Sequence, residues 1–280
     1  MLNDVQLEEF GRNGYTVYHD FLSCVSVKLF LDEIAKITKG STLANHDRDR
    51  MEMEPDQSNK GTAVRRLYEP CSYYGIFREL SEDSQLLDCV EQLIGSNLLF
   101  HYSKLNMKPP AIGSIVEWHQ DLSYYPLTNT DSLAILFYLD DTSEENGALQ
   151  LIPGCHRDPL LSHKGDQDFF QGRLTERHDI DRSELATGSA GTAIFMHGMT
   201  PHASAPNVSS RPRRTLILSY RAADAVPLYC GSMTVKGERF VRLVRGELAS
   251  EARFDGDSFP IPLYREDTAS LYELQAQSRE

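Results

Sequence analysis

The sequence predicts a mainly β fold with flanking helices, of the sandwich, barrel or jelly-roll type. Up to about residue 95, apolar side chains recur at helical spacing, and beyond it they fall into short extended runs. Turn residues separate these runs, as at Asn146-Gly147 and Pro153-Gly154. Short strands joined by such turns are typical of these three architectures.

The whole chain, residues 1–280, is expected to form a single domain. Sandwiches and barrels often reach about 200–250 residues as one unit. The sequence also contains neither an internal repeat nor a low-complexity linker. We divide it into an N-terminal helical layer (about 1–95), a jelly-roll core (about 96–225) and a C-terminal extension (226–280).

Three helices are predicted in the N-terminal layer. The first follows a cap at Asn3 and ends at Gly14, which can adopt a left-handed conformation. The second follows a cap at Ser23 and ends before Gly40, and the third ends at Gly95.

Six strands are predicted in the core, at residues 98–107, 115–121, 133–139, 148–152, 192–197 and 215–221. Two polar segments, 41–63 and 160–185, lack a clear period. Loops of this length are usually either functional lids or disordered, and the sequence favours neither for these two segments.

Composition restricts the partners and the compartment. The net charge of −13 opposes binding to nucleic acid. No apolar run is long enough to span a membrane, and none resembles a signal peptide. The five cysteines form no CxxC pair, which is typical of reduced thiols. We therefore expect a cytoplasmic protein that acts on a small molecule without nucleic-acid or membrane partners; the sequence does not indicate its oligomeric state.

The segment Trp118-His119-Gln120-Asp121 is a candidate metal site. In an extended segment, side chains two positions apart share a side, so His119 and Asp121 can reach one ion while Gln120 points away. A later strand of a jelly roll can bring His202 to the same ion. Two imidazoles and one carboxylate, with three positions left free, form the facial triad of oxygen-activating iron(II) enzymes.

A basic segment, Arg211-Pro212-Arg213-Arg214-Thr215, leads into an apolar strand. Arginine binds a carboxylate with two hydrogen bonds, so Arg213 could anchor a dicarboxylate co-substrate, with Thr215 on the same face. For Arg211 and Arg214, we expect a solvated position on the surface.

Taken together, these motifs resemble the phytanoyl-CoA dioxygenase family. The resemblance rests on Lys-Pro-Pro, Trp-His-Gln-Asp, Asn-Gly-Ala-Leu-Gln-Leu-Ile-Pro-Gly-Cys-His and His-Ala-Ser-Ala-Pro-Asn, followed by Arg213. It runs from the first helix to about Ala223, with departures at Cys155, where serine is usual, and at Ala203, which is often glycine.

The resemblance implies a double-stranded β-helix (a cupin-like jelly roll) that uses Fe(II), 2-oxoglutarate and O2. It implies that His119, Asp121 and His202 bind the iron. Arg213 would bind the distal carboxylate of 2-oxoglutarate, supported by Thr215.

Four further residues are weaker candidates for the site. By resemblance, Ser103 would contact the co-substrate. Trp118 would form a dry wall beside the metal, and Tyr124 and Tyr125 would line a substrate pocket. Core packing is the alternative for these three aromatic residues.

These observations predict an Fe(II)/2-oxoglutarate-dependent dioxygenase that hydroxylates an unactivated C–H bond of a small metabolite or natural-product intermediate, releasing succinate and CO2. The carboxylate of Asp121 favours oxygenation over halogenation, which needs an open position there. Desaturation, cyclisation, endoperoxidation or an acyl-CoA substrate remain open. A zinc hydrolase and a non-catalytic jelly-roll binding protein are alternatives of other classes.

Overall fold

The computed structural model describes residues 1–176, 180–228, 238–256, 258–260 and 274–276. About half of the predicted C-terminal extension, 226–280, therefore lies outside the described residues. Within them, no helix combines the length and the apolar character that crossing a membrane would require.

Helices occupy the N-terminal part of the chain, as predicted. Their bounds are α1 (Asp4–Asn13), α2 (Cys24–Thr38), α3 (Pro70–Tyr73), α4 (Gly75–Ser81) and α5 (Ser84–Ile94). Asn3 caps α1 through a reciprocal bond with Gln6, and Ser23 accepts a hydrogen bond from the first turn of α2. The three predicted helices are confirmed, whereas the short helices α3 and α4 carry too little periodicity to be predicted.

The strands form two antiparallel sheets. The larger sheet contains β1 (Tyr15–Tyr18), β2 (Met51–Met53), β3 (Val64–Tyr68), β4 (Leu98–Lys108), β6 (Ser132–Tyr138), β9 (Ala193–His197), β11 (Arg213–Ala222) and β12 (Arg242–Arg245). The smaller sheet contains β5 (Val116–His119), β7 (Leu149–Leu151), β8 (Glu184–Ala186) and β10 (His202–Ser204).

The order of the strands gives the double-stranded β-helix that the resemblance implied. The larger sheet runs β1-β9-β6-β11-β4-β3-β2, with β12 pairing with β4, and the smaller sheet runs β5-β10-β7-β8. Strands that follow one another in sequence thus alternate between the sheets, as β4, β5, β6 and β7 do. The predicted mainly β, jelly-roll fold class is confirmed.

Two hydrophobic clusters lie between the helices and the two sheets. One joins the N-terminal helices to the outer face of the larger sheet and includes Phe30, Phe77, Leu105 and Leu218. The other, which includes Ile217, lies between the two sheets. Because the helices cover the outer face, polar side chains on the inner face point toward the smaller sheet.

The two polar segments contain more structure than their composition suggests. Residues 51–53 form β2, which pairs with β3 at the edge of the larger sheet and buries Met51 and Met53. In 160–185, the amide of Leu174 donates to the carbonyl oxygen of Trp118 over 2.7 Å. The described part of this segment therefore covers β5.

The predicted strand 115–121 is shorter than expected. Strand β5 ends at His119, and Asp121 begins a 3-10 turn, Asp121–Ser123. The amide of Leu122 in this turn donates to the carbonyl oxygen of Gly198. The extended-strand argument for Asp121 is therefore wrong in detail: a turn, and not strand alternation, positions its carboxylate.

Candidate metal centre and co-substrate site

His119, Asp121 and His202 come together at one end of the smaller sheet. Strands β5 and β10 are antiparallel neighbours, and His119 lies directly opposite His202 in their register. Asp121 reaches the same point from the 3-10 turn after β5. One potential ligand atom from each residue lies within 4.8 Å of the other two, and all three residues are buried.

Backbone carbonyls fix the orientation of both imidazoles. The Nδ1 atom of His119 lies 2.8 Å from the carbonyl oxygen of Glu117, and that of His202 lies 3.0 Å from the carbonyl oxygen of Thr200. A hydrogen on each Nδ1 leaves the Nε2 lone pair for a metal. The two Nε2 atoms lie 3.9 and 4.0 Å from Oδ1 of Asp121.

The electrostatic surroundings keep both histidines neutral. Burial lowers the pKa of His119 well below its usual value, and the neighbouring His202 lowers it further. Burial also lowers the pKa of His202, although Asp121 opposes that shift. Neutral imidazoles and a carboxylate are the donor set that iron(II) accepts at a facial triad, so the residues fit this metal.

Arg213 and Thr215 lie on the inner face of β11. Arg213 is only 4% exposed, and its Nε and Nη2 atoms donate to the carbonyl oxygen of Gly147 over 3.0 and 2.6 Å. Gly147 is in the left-handed region, and a Cβ there would lie 2.5 Å from the carbonyl oxygen of Ala205. The Asn146-Gly147 turn thus supplies the acceptor that orients the guanidinium.

Thr215 carries a buried polar atom that no described residue satisfies. Its Oγ1 is fully buried and has no hydrogen-bond partner among the described residues. A buried hydroxyl usually has a hydrogen-bond partner, and a bound ligand is the simplest partner for that of Thr215. Arg213 and Thr215 together fit a carboxylate, because one supplies positive charge and the other a hydroxyl.

Comparison with known proteins agrees with this geometry. The family model described as phytanoyl-CoA dioxygenase matches residues 10–215. The chain belongs to the phytanoyl-CoA dioxygenase family. It is an Fe(II)- and 2-oxoglutarate-dependent dioxygenase, and the predicted cofactors are confirmed.

Curated relatives and solved structures extend the likeness over most of the chain. A probable alpha-ketoglutarate-dependent hypophosphite dioxygenase of Stutzerimonas stutzeri is 34% identical, covering 81% of this chain and 82% of its own. An ectoine dioxygenase of Sphingopyxis alaskensis is 29% identical, covering 78% and 76%. The crystal structure of EctD from S. alaskensis with 2-oxoglutarate and 5-hydroxyectoine has a TM-score of 0.65 and 25% identity, covering 79% and 77%.

One predicted site residue of this dioxygenase is on the wrong side of the sheet. Ser103 faces the helices, where its Oγ accepts a hydrogen bond from the amide of Cys71 over 3.1 Å. It pairs in register with Leu218, a core residue of that outer face. The prediction that Ser103 contacts the co-substrate is therefore corrected, since the inward position belongs to the next residue, Lys104.

Lys104 is a further residue close to the metal centre; the sequence left it equally open as a co-substrate contact or a surface charge. Burial opposes its charge, but Tyr102 and Asp121 raise the pKa of its ammonium group. Lys104 in turn lowers the pKa of both triad histidines, so its charge lies close to all three triad residues. Strand alternation from the buried Leu105 would have placed it on the inner face.

The aromatic candidates occupy different positions in the dioxygenase. The ring of Tyr124 meets that of His119 edge-to-face at 5.7 Å, and its hydroxyl donates to the carbonyl oxygen of Gly172. Tyr125 packs against His101, with ring centroids 4.6 Å apart. Trp118 precedes His119 in β5, so strand alternation directs the two side chains to opposite faces.

Gln120 hydrogen-bonds to the loops behind the metal centre, a role that the sequence did not predict. Its side chain is fully buried; Nε2 donates to the carbonyl oxygen of Met199 over 2.6 Å, and Oε1 accepts from the amide of Leu161 over 2.9 Å. Its own amide donates to Nε2 of His163 over 3.1 Å. These three bonds connect the triad turn to two neighbouring loops.

Proposed function

We propose that His119, Asp121 and His202 bind the iron of this dioxygenase and that it hydroxylates a C–H bond of a small metabolite. The observation that carries the proposal is the pair of tethered, neutral imidazoles whose Nε2 atoms converge on the carboxylate of Asp121. Three protein ligands on one face leave positions for a co-substrate and dioxygen.

Bound iron(II) supplies the activation of dioxygen, coupled to the conversion of 2-oxoglutarate into succinate and CO2. The protein's part is to bind and orient. Arg213 pairs with the distal carboxylate of 2-oxoglutarate, and Thr215 donates to the same group its hydroxyl, which no described residue binds. The carbonyl of Gly147 keeps the guanidinium in place before the co-substrate arrives.

Residues around the triad keep the reacting groups aligned and dry. Tyr124 packs on the ring of His119 and ties it to Gly172. Lys104 places a positive charge next to Asp121, where it can offset the negative charge of a bound 2-oxo acid. A water-excluded site strengthens each of these electrostatic interactions.

A small substrate is favoured over an acyl-CoA. The relatives include a hypophosphite dioxygenase, an L-proline trans-4-hydroxylase and a methylphosphonate hydroxylase, all named for small molecules. We further propose one catalytic domain, since α2, α4 and α5 share a core with the larger sheet. Within the described parts of the chain, the free cysteines Cys24, Cys71 and Cys89 support a reducing compartment, the cytoplasm.

Iron-dependent succinate formation tests the proposal. Purified protein with 2-oxoglutarate and a panel of small metabolites should release succinate with iron(II) but not with zinc(II), and His119→Ala should release none. Release with zinc alone, or undiminished release by His119→Ala, would contradict the assignment of the site. The conservative variant Tyr124→Phe should keep the iron dependence, because it retains the ring that packs on His119.

A further inference from the structure

The inner face of β11 presents two arginines, one toward each end of the strand. Along this face, the alternate residues are Arg213, Thr215, Ile217, Ser219 and Arg221. Ile217 pairs in register with Lys104, whose charge lies close to the triad. Arg213 and Arg221 each lie four residues from Ile217, which is about 14 Å along the strand. Arg213 is assigned to the co-substrate, whereas Arg221 has no role in the proposed function.

Arg221 is buried, and two of its hydrogen-bond donors are unused within the described parts of the chain. It is 2% exposed, and its Nη2 atom pairs with Oε1 of Glu238 over 2.7 Å. Its Nε and Nη1 atoms have no hydrogen-bond partner among the described residues. Leaving charged donors buried and unsatisfied is costly, so a ligand that accepts hydrogen bonds would be bound favourably here.

Two neighbouring side chains share this property. Oγ of Ser219 and Nδ1 of His101 are buried and also lack a partner within the described parts of the chain. Ser219 lies on the same face of β11 as Arg221, two residues before it. His101 lies beside Arg221, because Arg221 adds to the effect of burial and lowers the pKa of His101 to about 3. The imidazole is therefore neutral and can carry a hydrogen on Nδ1.

A β-bulge explains why His101 faces inward. Ser219 pairs with Tyr102, and the next residue, Tyr220, pairs with Phe100, so His101 is the extra residue of β4. The rings of His101 and Tyr102 both contact Tyr125, at 4.6 and 6.1 Å, which places these consecutive side chains on the same side of the strand. Bulges commonly redirect a side chain next to an active site.

Tyr125 connects this cluster with the metal centre. Burial raises the pKa of Tyr125 well above its usual value; Asp121 raises it further, and Arg221 lowers it. The hydroxyl of Tyr125 therefore lies within electrostatic reach of both the triad and Arg221. A molecule held by Arg221 would lie along Tyr125, with its other end toward the triad.

We propose that Arg221, His101 and Ser219 form an oxyanion-binding subsite, and that the substrate is a small molecule with a carboxylate, phosphinate or phosphonate group. The anion accepts hydrogen bonds from the guanidinium, the neutral imidazole and the hydroxyl. The bond to be oxidised then points along Tyr125 to the metal centre. This subsite rests on the proposed function, since it assigns the substrate of the same dioxygenase.

Binding to the anaerobic complex of the protein with iron(II) and 2-oxoglutarate tests the subsite. Isothermal calorimetry would compare L-proline and methylphosphonate with L-prolinamide and dimethyl methylphosphonate, in which an amide or an ester replaces the oxyanion, and would also measure hypophosphite. At least one of the three oxyanion compounds should bind, and the amide or ester form should bind at least about 10-fold more weakly than its parent. Equal binding of a parent and its amide or ester form, or no binding by any of the three oxyanion compounds at millimolar concentration, would overturn the proposal.

Three variants separate recognition from folding. Arg221→Met should weaken binding of the anion at least about 10-fold. Glu238→Gln should strengthen it roughly 3-fold or more, because a competing carboxylate is removed; a purely structural pair would show no gain. Arg245→Met is the matched control, since Arg245 pairs with Asp88 and Glu91 near the surface, and it should change nothing.

Two results would contradict the subsite: unchanged affinity in folded Arg221→Met, or a loss in Arg245→Met as large as that in Arg221→Met. Failure of the proposed function is distinguishable because calorimetry does not require turnover. A protein that binds anions through Arg221 but releases no succinate would retain the subsite and lose the proposed reaction.

Discussion

Arg213 and Arg221 are buried arginines on the same face of one strand, yet their surroundings differ. Arg213 is oriented by a neutral acceptor, the carbonyl oxygen of Gly147. Arg221 is oriented by a carboxylate, that of Glu238. The carbonyl oxygen fixes the geometry of Arg213, whereas the carboxylate of Glu238 also offsets part of the charge of Arg221.

This difference matches the two ligands that we assign. A dicarboxylate co-substrate common to many dioxygenases is served by an arginine that a backbone carbonyl holds in place before the co-substrate binds. A substrate subsite differs between enzymes, and a paired arginine with unused donors can be tuned by its partner. The contrast implies that changes at the Arg213 end alter binding of 2-oxoglutarate, and those at the Arg221 end alter binding of the substrate.

Replacing Arg213 should give the largest effect. Arg213→Met leaves the distal carboxylate of 2-oxoglutarate without its partner in a buried site. Breaking a buried ion pair costs about 3–5 kcal/mol, so the affinity for 2-oxoglutarate should fall at least about 100-fold. An anaerobic titration followed by the iron charge-transfer absorbance measures this. Arg211→Met, at an exposed position, is the control and should bind normally. A normal affinity of Arg213→Met for 2-oxoglutarate would contradict the assignment of Arg213 to the co-substrate.

Replacing the hydroxyl groups of Thr215 and Ser219, both on the inner face of β11, should have smaller effects that differ between the two residues. Thr215→Val keeps the shape and removes a hydrogen bond worth about 0.5–1.5 kcal/mol, so 2-oxoglutarate should bind about 2- to 10-fold more weakly. Ser219→Ala should leave 2-oxoglutarate binding unchanged. The same titration checks both variants. If Ser219→Ala weakened 2-oxoglutarate binding as much as Thr215→Val does, the two ends of β11 would not be distinct.

Replacing Ser103 should have the smallest effect on 2-oxoglutarate binding, and it tests the orientation of β4. Ser103→Ala removes the acceptor for the buried amide of Cys71 and should lower the free energy of unfolding by about 1–3 kcal/mol, with no change in 2-oxoglutarate affinity. Chemical denaturation measures the first quantity and the absorbance titration the second. Weaker binding of 2-oxoglutarate in a stable Ser103→Ala protein would place this side chain in the site after all.

The parts of the site that the sequence predicts depend on local pattern. His119, His202, Arg213 and Thr215 lie in or next to strands whose apolar residues are visible in the sequence, and the structure brings the two histidines together with Asp121. The boundaries of helices α1, α2 and α5 are likewise predictable, because capping residues and glycines mark where they begin and end.

The parts of the site that the sequence does not predict depend on which face of a strand each residue occupies and on contacts between residues far apart in the sequence. Ser103 was proposed as a co-substrate contact from the family resemblance, and the mixed polar and apolar run of β4 does not by itself show which residues face the helices. His101 faces inward only through a bulge, and no local pattern marks it. The role of Arg221 depends on partners from β4 and from Glu238, which only the fold brings together.

The central claim is that His119, Asp121 and His202 bind one iron that also binds 2-oxoglutarate. Adding iron(II) and 2-oxoglutarate to the protein without oxygen should produce a visible metal-to-ligand charge-transfer band that saturates at one iron per chain. His119→Ala should produce no such band at the same concentrations. A band of undiminished intensity in His119→Ala, or none in the wild-type protein, would contradict the account.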